Sequence, residues 1–333
     1  MNSISTTFAP DAHRVTSFDR LMRKRLTESL RYLYGLISHQ IKITDKAFES
    51  GVKRILDQPI LPDCFAAYYE LAYSTEAGDF KKSEKLLQEI FSMEEPEGLD
   101  IFPFKDREQD IRSLRYVKPV DSDPSTPFGI IPIQTKDFQR SSQMIHDSLE
   151  IIKEADPNLY DELLALLKVI MLGAGSSDGN AINFHGASAF ELWGAILLNA
   201  VEATDLVDII QTLAHESCHV MLFGFCIDDQ LVLNPDSERY PSPLRVDPRP
   251  IDGIYHAVYV LARMFYASTA IIEKSSLSAK LIAKADRCRK DYAISFYDGL
   301  GTLKKHARYT DNGRELMQFA EEYMNEHAKP LMT

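Results

Sequence analysis

Two histidines one helical turn apart are the residues of this chain best suited to chemistry. They belong to the pentapeptide His215-Glu216-Ser217-Cys218-His219, which lies inside an apolar stretch. Residues i and i+4 of a helix project from the same face, so both imidazoles could bind one metal ion. Glu216 lies beside them, where its carboxylate could act on a metal-bound water. The pattern predicts a metal centre with Glu216 as a catalytic residue; the alternative is a pair of surface histidines on a core helix.

A stable metal centre needs a third protein ligand. The metzincin extension requires glycine at 222 and histidine at 225, and the chain has Leu222 and Phe225 instead, which excludes that class. A gluzincin pattern would take a glutamate from a second helix, for which Glu273 is the candidate. His256, near the start of the next apolar helix, is its rival, although a lone histidine in such a helix is usually structural. His185, on the preceding strand, is a weaker candidate.

Arg263 is the second residue with chemical potential. It lies about two helical turns beyond His256 on the same face, displaced by roughly 10 Å. Its neighbours Val260, Leu261, Met264 and Phe265 are apolar. Burying a guanidinium without an anion is costly, so a partner is expected. One partner would be a protein carboxylate; the other would be the far carboxylate of a small diacid that chelates the metal.

The elements that must position these residues are predominantly helical. The hydrophobic pattern predicts helices over Phe18–Ile43, Cys64–Ser74, Phe80–Ser92, Ser141–Ala155, Leu159–Leu172, Ala189–Ala200, Leu206–Phe223, Ile251–Ile272, Leu277–Phe296, Leu300–Tyr309 and Arg314–His327. Short strands are predicted at Tyr116–Val117, Gly129–Ile133 and Asn180–His185. The expected class is therefore mainly α with a small β element (α+β), and the metal site lies between the His215 helix and the following long helix. An N-terminal helical region with a Pro-rich connection (1–130) precedes the metal-binding region (131–333).

The composition of the chain disfavours a nucleic-acid-binding protein and a membrane-spanning protein. The 333 residues carry 37 Lys and Arg against 49 Asp and Glu, a formal charge of −12 without a long basic run, which disfavours nucleic-acid binding. No uninterrupted apolar run is long enough to predict a transmembrane helix. The four cysteines include no CxxC pair and the first residues do not resemble a signal peptide, so a cytoplasmic location is expected. The glycine-rich stretch 173–179 lacks a GK[ST] motif and predicts no phosphate loop.

The stretch Ser242–Arg263 resembles the 2-oxoglutarate-dependent HExxH-type peptide β-hydroxylases, which were first catalogued as HExxH-containing putative peptide-modification proteins. The resemblance rests on Pro243-Leu244-Arg245, Asp247-Pro248-Arg249-Pro250, Asp252-Gly253 and His256, in this order after the His215 helix. It covers about residues 170–270. The first 130 residues contain nothing diagnostic.

This resemblance implies a non-haem Fe(II) oxygenase that hydroxylates a side chain of a ribosomally made precursor peptide. His215 and His219 match the two motif ligands, and His256 matches the downstream histidine and so becomes the expected third ligand. Arg245, Arg249 and Arg263 match as candidates to bind the co-substrate 2-oxoglutarate. Arg263 is the expected anchor because it shares a helix with His256, whereas the other two flank the prolines of a loop. Glu216 is left with three roles: metal ligand, support for a ligand, or acid/base.

The coordination chemistry of Fe(II) is compatible with a 2-oxoglutarate-dependent oxygenase. Three protein ligands on Fe(II) leave about three open positions, enough for a bidentate 2-oxoglutarate and O₂. Two other classes stay open. A zinc peptidase would use the same histidines with Glu216 as general base, and a non-enzymatic protein would only bind the peptide. Metal content together with a 2-oxoglutarate turnover assay separates the three.

Overall fold

A computed structural model describes residues 5–105, 110–122, 127–176, 184–242 and 247–332 of the chain. Within these ranges eleven α-helices and five short strands follow one another along the sequence. They are α1 (Ala12–Ile37), α2 (Asp45–Asp57), α3 (Pro62–Glu76), α4 (Phe80–Ser92), β1 (Asp100–Pro103), α5 (Ile111–Val120), β2 (Ile130–Ile131), α6 (Thr135–Ala155), α7 (Pro157–Leu166), β3 (Val169–Gly175), β4 (Gly186–Ala187), β5 (Ala195–Asn199), α8 (Leu206–Phe225), α9 (Ile251–Lys274), α10 (Ala279–His306) and α11 (Asp311–His327).

The chain divides into two compact units that draw on separated stretches of sequence. The first, which we call the helical unit, contains Met1–Val15, Ser142–Leu163 and Ala203–Thr333. The second, the sheet unit, contains Thr16–Ser141 and Leu164–Glu202. The sequence-based boundary at residue 130 follows the chain in order, whereas these units alternate along it.

Within the helical unit, α9 packs against α8, α10 and α11. Helix α8 begins at the N-cap Asp205, whose side chain accepts hydrogen bonds from the backbone N–H groups of Val207 and Asp208 at 3.0 and 3.3 Å. Helix α9 begins after Pro250, whose fixed φ suits the residue that precedes a helix. Both helices bury most of their apolar side chains, so their mutual packing fixes the side chains that face each other across the pair.

The sheet unit contains a mixed sheet with the strand order β1-β3-β5-β4. Strands β1 and β5 run parallel to β3, with Asp100 opposite Val169 and Ala195 also opposite Val169. Strand β4 pairs antiparallel with β5, and β2 pairs antiparallel with the end of β3. The apolar core of this unit lies between the sheet and nearby helical residues such as Ala66 and Tyr116.

The predicted class is confirmed at the level of a mainly helical chain with a small mixed sheet. The helix predicted over Phe80–Ser92 is α4, and those predicted over Leu206–Phe223 and Ile251–Ile272 are α8 and α9 with small differences at their ends. The strand predicted within Gly129–Ile133 is β2. Of the predicted strand Asn180–His185, residues 180–183 lie outside the described ranges.

Two of the predicted helices are wrong because a buried strand was mistaken for a buried helix. The helix expected over Ala189–Ala200 is a short 3-10 turn followed by β5, and every residue of β5 is buried. A strand buried on both faces has no alternation, so its apolar run resembles that of a buried helix. The helix expected over Leu159–Leu172 ends at Leu166, before the equally buried β3.

The strand expected at Tyr116–Val117 lies inside α5, which begins where Asp110 accepts a hydrogen bond from the N–H of Ser113 at 3.3 Å. The two helices expected over Leu277–Phe296 and Leu300–Tyr309 are one continuous helix, α10, and α2 was not predicted. None of the described helices is both long enough and apolar enough to cross a membrane.

Candidate metal centre

His215 and His219 face each other on α8 as the i, i+4 spacing predicts. Their Nε2 atoms are 3.2 Å apart, and their ring centroids are separated by 4.9 Å. Two nitrogens bound to one ion at about 2.0–2.1 Å stand roughly 2.8–3.4 Å apart, depending on whether the angle at the metal is octahedral or tetrahedral. The two imidazoles therefore already have the spacing of neighbouring ligands.

His256 reaches the same cluster from α9. Its ring stacks on that of His219 at a centroid distance of 5.6 Å and an interplanar angle of 17°, with the two Nδ1 atoms 3.3 Å apart. The structure thus brings together the three histidines that the sequence singled out. They form a series, since His219 meets His215 with Nε2 and His256 with Nδ1.

The three imidazoles touch one after another in a row and do not surround a single point. In the part of the chain that the structure describes, no three His, Cys, Asp or Glu side chains surround a common point as metal ligands do. The Nε2 atoms of His215 and His219 have the spacing of two ligands, but the proton between them must leave one Nε2 before both can bind an ion. His256 touches the opposite edge of the His219 ring, so its imidazole must turn before one of its nitrogens joins that pair.

The sulfur of Met264 is a hydrogen-bond acceptor at the outer end of this series. It is 3.3 Å from Nδ1 of His215, and a thioether sulfur can only accept. In the tautomer in which Nδ1 of His215 donates to this sulfur, its Nε2 accepts from Nε2–H of His219. Nδ1 of His219 then accepts from Nδ1–H of His256. This assignment leaves each imidazole neutral, with one donor and one acceptor nitrogen.

The local environment favours the same neutral forms. Burial lowers the pKa of His219 well below its ordinary value, and the adjacent His215 and His256 lower it further. Burial also lowers the pKa of His256, which the Asp252 carboxylate partly offsets. Metal ions bind the neutral imidazole, so neither ring has to lose a proton near neutral pH.

Glu216 lies next to the histidine pair and away from solvent. Only 4% of this residue is exposed, and its Oε1 is 3.8 Å from Nε2 of His215. A carboxylate at this position can contact a ligand of an ion held by His215 and His219. It is placed for action on a bound water and equally for support of the His215 imidazole.

Arg263 has a protein partner in the structure. Its Nη2 forms an ion pair with Oε1 of Glu162, and its Nη1 donates to the carbonyl of Phe8 at 2.9 Å. The second oxygen of Glu162 pairs with Nη2 of Arg14 at 2.8 Å. These three charged residues are 5%, 4% and 2% exposed, in the order Arg263, Glu162, Arg14. Burial alone would lower the pKa of Arg263; Glu162 offsets this, and the pKa is raised. The geometry is that of a structural ion pair, which was the alternative to a co-substrate anchor.

The other candidates are placed as follows. Arg249 pairs with Asp247 through Nε at 2.8 Å on the half-exposed loop before α9. Arg245 lies outside the described residues. Glu273 is exposed near the end of α9, about 25 Å along the helix axis from His256. His185 is an exposed residue of the sheet unit.

A cavity of about 360 Å³ adjoins His256. It is lined by the end of α8, the loop over residues 229–236 and the first turns of α9. Sequence reasoning missed this cavity, and it also missed Met264, Glu162 and Arg14. Asp252 belongs to the segment that carries the family resemblance and could have been noticed; nothing local in the sequence pairs Glu162 with Arg263, since 101 positions separate them.

Comparison with known proteins adds no assignment to this geometry. No protein-family model matches the chain, and no curated protein matches it significantly.

Proposed function

We propose that the protein is an Fe(II)- and 2-oxoglutarate-dependent oxygenase that hydroxylates a side chain of a ribosomally made peptide. The observation that carries the proposal is the contact of three imidazoles from α8 and α9, with two Nε2 atoms at ligand spacing. The resemblance of the segment around His256 to the peptide β-hydroxylases supplies the choice of iron and co-substrate. The location of the enzyme is proposed to be cytoplasmic.

His215 and His219 would hold the ion through their Nε2 atoms, and His256 would complete the set after its ring turns. When bound, Fe(II) would supply open positions for the co-substrate and for O₂, which is the oxidant of the hydroxylation. A hydrogen bond from Nδ1–H of His215 to the Met264 sulfur would leave Nε2 of His215 free to bind the ion. Glu216 supports the His215 side of the site from its buried position.

The co-substrate needs a cation for its far carboxylate. Arg263 has both terminal nitrogens engaged by Glu162 and the Phe8 carbonyl, so binding a diacid there would disrupt a buried pair. Arg249 is half-exposed, and its ion pair within the described residues is with the exposed Asp247. We therefore assign the anchor to the loop before α9, with Arg249 as its described member. Arg249→Leu should weaken 2-oxoglutarate binding by about tenfold, the loss of one charge-assisted pair, and Arg263→Leu should not.

The decisive experiment needs no knowledge of the peptide. Anaerobic addition of Fe(II) and then 2-oxoglutarate should produce the visible charge-transfer absorption of a chelated 2-oxo acid on Fe(II). His215→Ala and His219→Ala should abolish this absorption, while His185→Ala, a histidine of the other unit, should retain it. Admission of O₂ should then convert 2-oxoglutarate to succinate. Stoichiometric Fe(II) binding without the absorption would contradict the oxygenase.

One observation favours a second candidate, a zinc peptidase. The buried Glu216 carboxylate is 3.8 Å from Nε2 of His215, a position suited to a general base on a metal-bound water. In that case Glu216→Gln would keep zinc and lose peptide-bond cleavage, and no succinate would form under any condition. Zinc binds such nitrogen sites more tightly than Fe(II), so the metal found after aerobic purification does not decide between the two.

A further inference from the structure

A short segment of the helical unit, residues 5–11, precedes α1 and is neither helix nor strand. We call it the Phe8 segment. Phe8 is the one buried residue among residues 5–13, all of which the structure describes, and 5% of it is exposed. The segment therefore lies on the helical unit as a short peptide lies on a folded partner, with one side chain inserted and the neighbouring ones partly or fully exposed.

Three tyrosine rings contact the ring of Phe8. Tyr323 of α11 stacks on it at a centroid distance of 4.8 Å, and Tyr259 and Tyr266 of α9 meet it edge to face at 5.7 and 6.2 Å. The guanidinium carbon of Arg263 lies 5.7 Å from the Phe8 ring centroid, within the range of a cation–π contact. We call these three tyrosines and Arg263 the aromatic groove. Stacked, edge-to-face and cation–π contacts all require a ring, so the groove favours an aromatic side chain over an aliphatic one.

The walls of the aromatic groove are held by contacts that do not involve the Phe8 segment. The hydroxyl of Tyr266 donates to Oδ2 of Asp156 at 2.5 Å, and the ring of Tyr266 lies 5.4 Å from that of Tyr323. Arg263 is held by its ion pair with Glu162. A groove that stays ordered when its occupant leaves can accept another occupant at little cost in conformational entropy.

The backbone of the Phe8 segment is bound by side chains of the helical unit. Nη1 of Arg263 donates to the carbonyl of Phe8 at 2.9 Å, and the N–H of Asp11 donates to Oε2 of Glu162 at 2.7 Å. Both contacts engage peptide groups, which a peptide of almost any sequence offers at the same spacing. Apart from its aromatic residue, the sequence of an occupant therefore matters little.

One polar group of the aromatic groove is not satisfied by Phe8. The hydroxyl of Tyr259 is buried, and in the part of the chain that the structure describes it has no hydrogen-bond partner. The charges of Arg263 and Glu162, which bind the backbone of the segment, act on this hydroxyl. The side chain of Phe8 has no polar atom to offer, although buried hydroxyls normally have a partner. The resident side chain thus leaves part of the binding capacity of the groove unused.

We propose that the aromatic groove is a docking site for an extended, aromatic-containing peptide segment of a partner, and that Phe8 is its resident, displaceable occupant. The partner segment supplies an aromatic side chain for the three tyrosines, the carbonyl of that residue for Arg263, and a backbone N–H three positions later for Glu162. The proposal depends neither on a bound metal nor on the oxygenase activity proposed above.

A second copy of this chain is a less suitable occupant than a different partner. The segment of a second copy is identical to the resident one, which competes at the effective concentration of a tethered ligand, on the order of millimolar. Exchange between identical copies would therefore need protein concentrations of that order. A partner whose segment binds the groove more tightly displaces Phe8 at lower concentration.

The probes are two acetylated, amidated heptapeptides, Ser-Thr-Thr-Xaa-Ala-Pro-Asp, in which Xaa is phenylalanine or alanine. The phenylalanine peptide has the sequence of residues 5–11. Binding is measured by isothermal titration calorimetry to the full chain, as the wild type and as Phe8→Ala, which keeps the segment and empties the groove. The phenylalanine peptide should bind Phe8→Ala about tenfold or more tightly than the wild type, where Phe8 competes, and about tenfold or more tightly than the alanine peptide binds Phe8→Ala.

Tyr323→Ala, added to Phe8→Ala, should abolish binding of the phenylalanine peptide because it removes the stacked wall of the groove. Tyr32→Ala in the same background is the matched control, since Tyr32 is a tyrosine of α1 that is 69% exposed and should leave binding intact. Should Phe8→Ala not fold, hydrogen exchange in the wild type makes the same comparison. An excess of the phenylalanine peptide should speed exchange of the Asp11 N–H, and the alanine peptide should not.

Equal binding of the two peptides to Phe8→Ala, no binding of either at about 1 mM, or binding that survives Tyr323→Ala would overturn the proposal. A wild-type dimer that dissociates when the phenylalanine peptide is added would make a second copy the occupant and overturn the choice of a partner. Failure here is separable from failure of the proposed function. The Fe(II) and 2-oxoglutarate absorption without peptide docking removes only the docking site, and docking in a protein that binds no metal removes only the oxygenase.

Discussion

Nδ1 of His215 lies 3.3 Å from the sulfur of Met264, which follows His256 on α9 by about two turns. Because the sulfur cannot donate a proton, a hydrogen bond at this contact requires the proton of His215 to be on Nδ1. It leaves Nε2 of His215 with a lone pair on the side where His219 lies. Met264 is not a candidate ligand, but this hydrogen bond would leave Nε2 of His215 able to bind a metal ion.

Met264→Leu should remove the sulfur acceptor beside Nδ1 of His215, while the side chain stays apolar and similar in size. His215 would then populate both tautomers, and we expect metal affinity to fall by about two- to fivefold, less than the 10–100-fold that stronger outer partners contribute. Nitrogen chemical shifts of labelled histidine, recorded without metal, give the tautomer directly. An unchanged His215 spectrum in Met264→Leu would show that the sulfur does not set the proton order.

His256→Ala should lose stoichiometric metal binding and keep the fold. The motivation is the stacked contact of His256 with His219, on the side opposite to His215. Metal content after reconstitution is the measurement, and Glu273→Ala, an exposed residue of the same helix, is the control. Full occupancy in His256→Ala would mean that two histidines and another group hold the ion.

The metal-free protein should lose stability in mild acid through His219. Because its pKa is lowered in the folded state, the unfolded chain takes up this proton first, beginning near the ordinary value of about 6.5. The free energy of unfolding should therefore fall by up to about 1.4 kcal/mol per pH unit below that value, and His219 should contribute nothing above it. Denaturant unfolding of the wild type and His219→Gln at pH 7.5 and 5.5, with a chelator present, measures the difference. Parallel losses in both proteins would contradict the assignment.

Glu162 should matter more to stability than either of its arginines. One carboxylate pairs with both Arg14 and Arg263, so Glu162→Gln leaves two buried cations without an anion. We expect a loss of about 3–5 kcal/mol, the range for breaking a buried pair. Arg263→Met leaves the pair of Arg14 and Glu162 balanced and should cost less. Urea unfolding of the two variants gives the order, and a larger loss in Arg263→Met would show that its hydrogen bond to Phe8 dominates.

Replacement of Gly313, where α11 meets the wall of the cavity, should destabilise the fold. A Cβ built at this position would overlap the backbone carbonyl of Leu231, which cannot move without its loop. Gly313→Ala should destabilise by about 1–3 kcal/mol or more and loosen the cavity. Gly301→Ala is the control, because Gly301 lies in α10 with open space around it. That change should be neutral or stabilising by up to about 1 kcal/mol. An equal gain in both variants would show that the overlap with Leu231 has no cost.

The sequence predicted the parts of the site that depend on helical spacing. His215 and His219 meet because four residues make about one turn, and α8 begins at Asp205, a residue type that caps helices. The contact with His256 required α9 to pack on α8, which periodicity alone does not determine; the family resemblance identified the residue. The amphipathic helix α4 was predicted with its ends, whereas α2, which is equally amphipathic, was missed.

The sequence could not give the partners that come from distant parts of the chain. Arg263 was expected to need an anionic partner, and it has one in Glu162 of α7. The sequence could not decide whether that partner was a protein carboxylate or the carboxylate of a bound diacid. The buried strands β3 and β5 were mistaken for helix because every one of their side chains but the last of β3 is buried, which removes the period-two signal.

The segment around Phe8 has a consequence for the order of events during synthesis. Its carbonyl contacts Arg263, which lies 255 positions later, so this part of the helical unit must wait until α9 has left the ribosome. All residues of the sheet unit precede Ala203 and are available much earlier. Contacts of such long range form late and slowly. A nascent chain halted before α9 would leave Arg14 and Glu162 without their third partner, and its first residues would be open to proteases and chaperones.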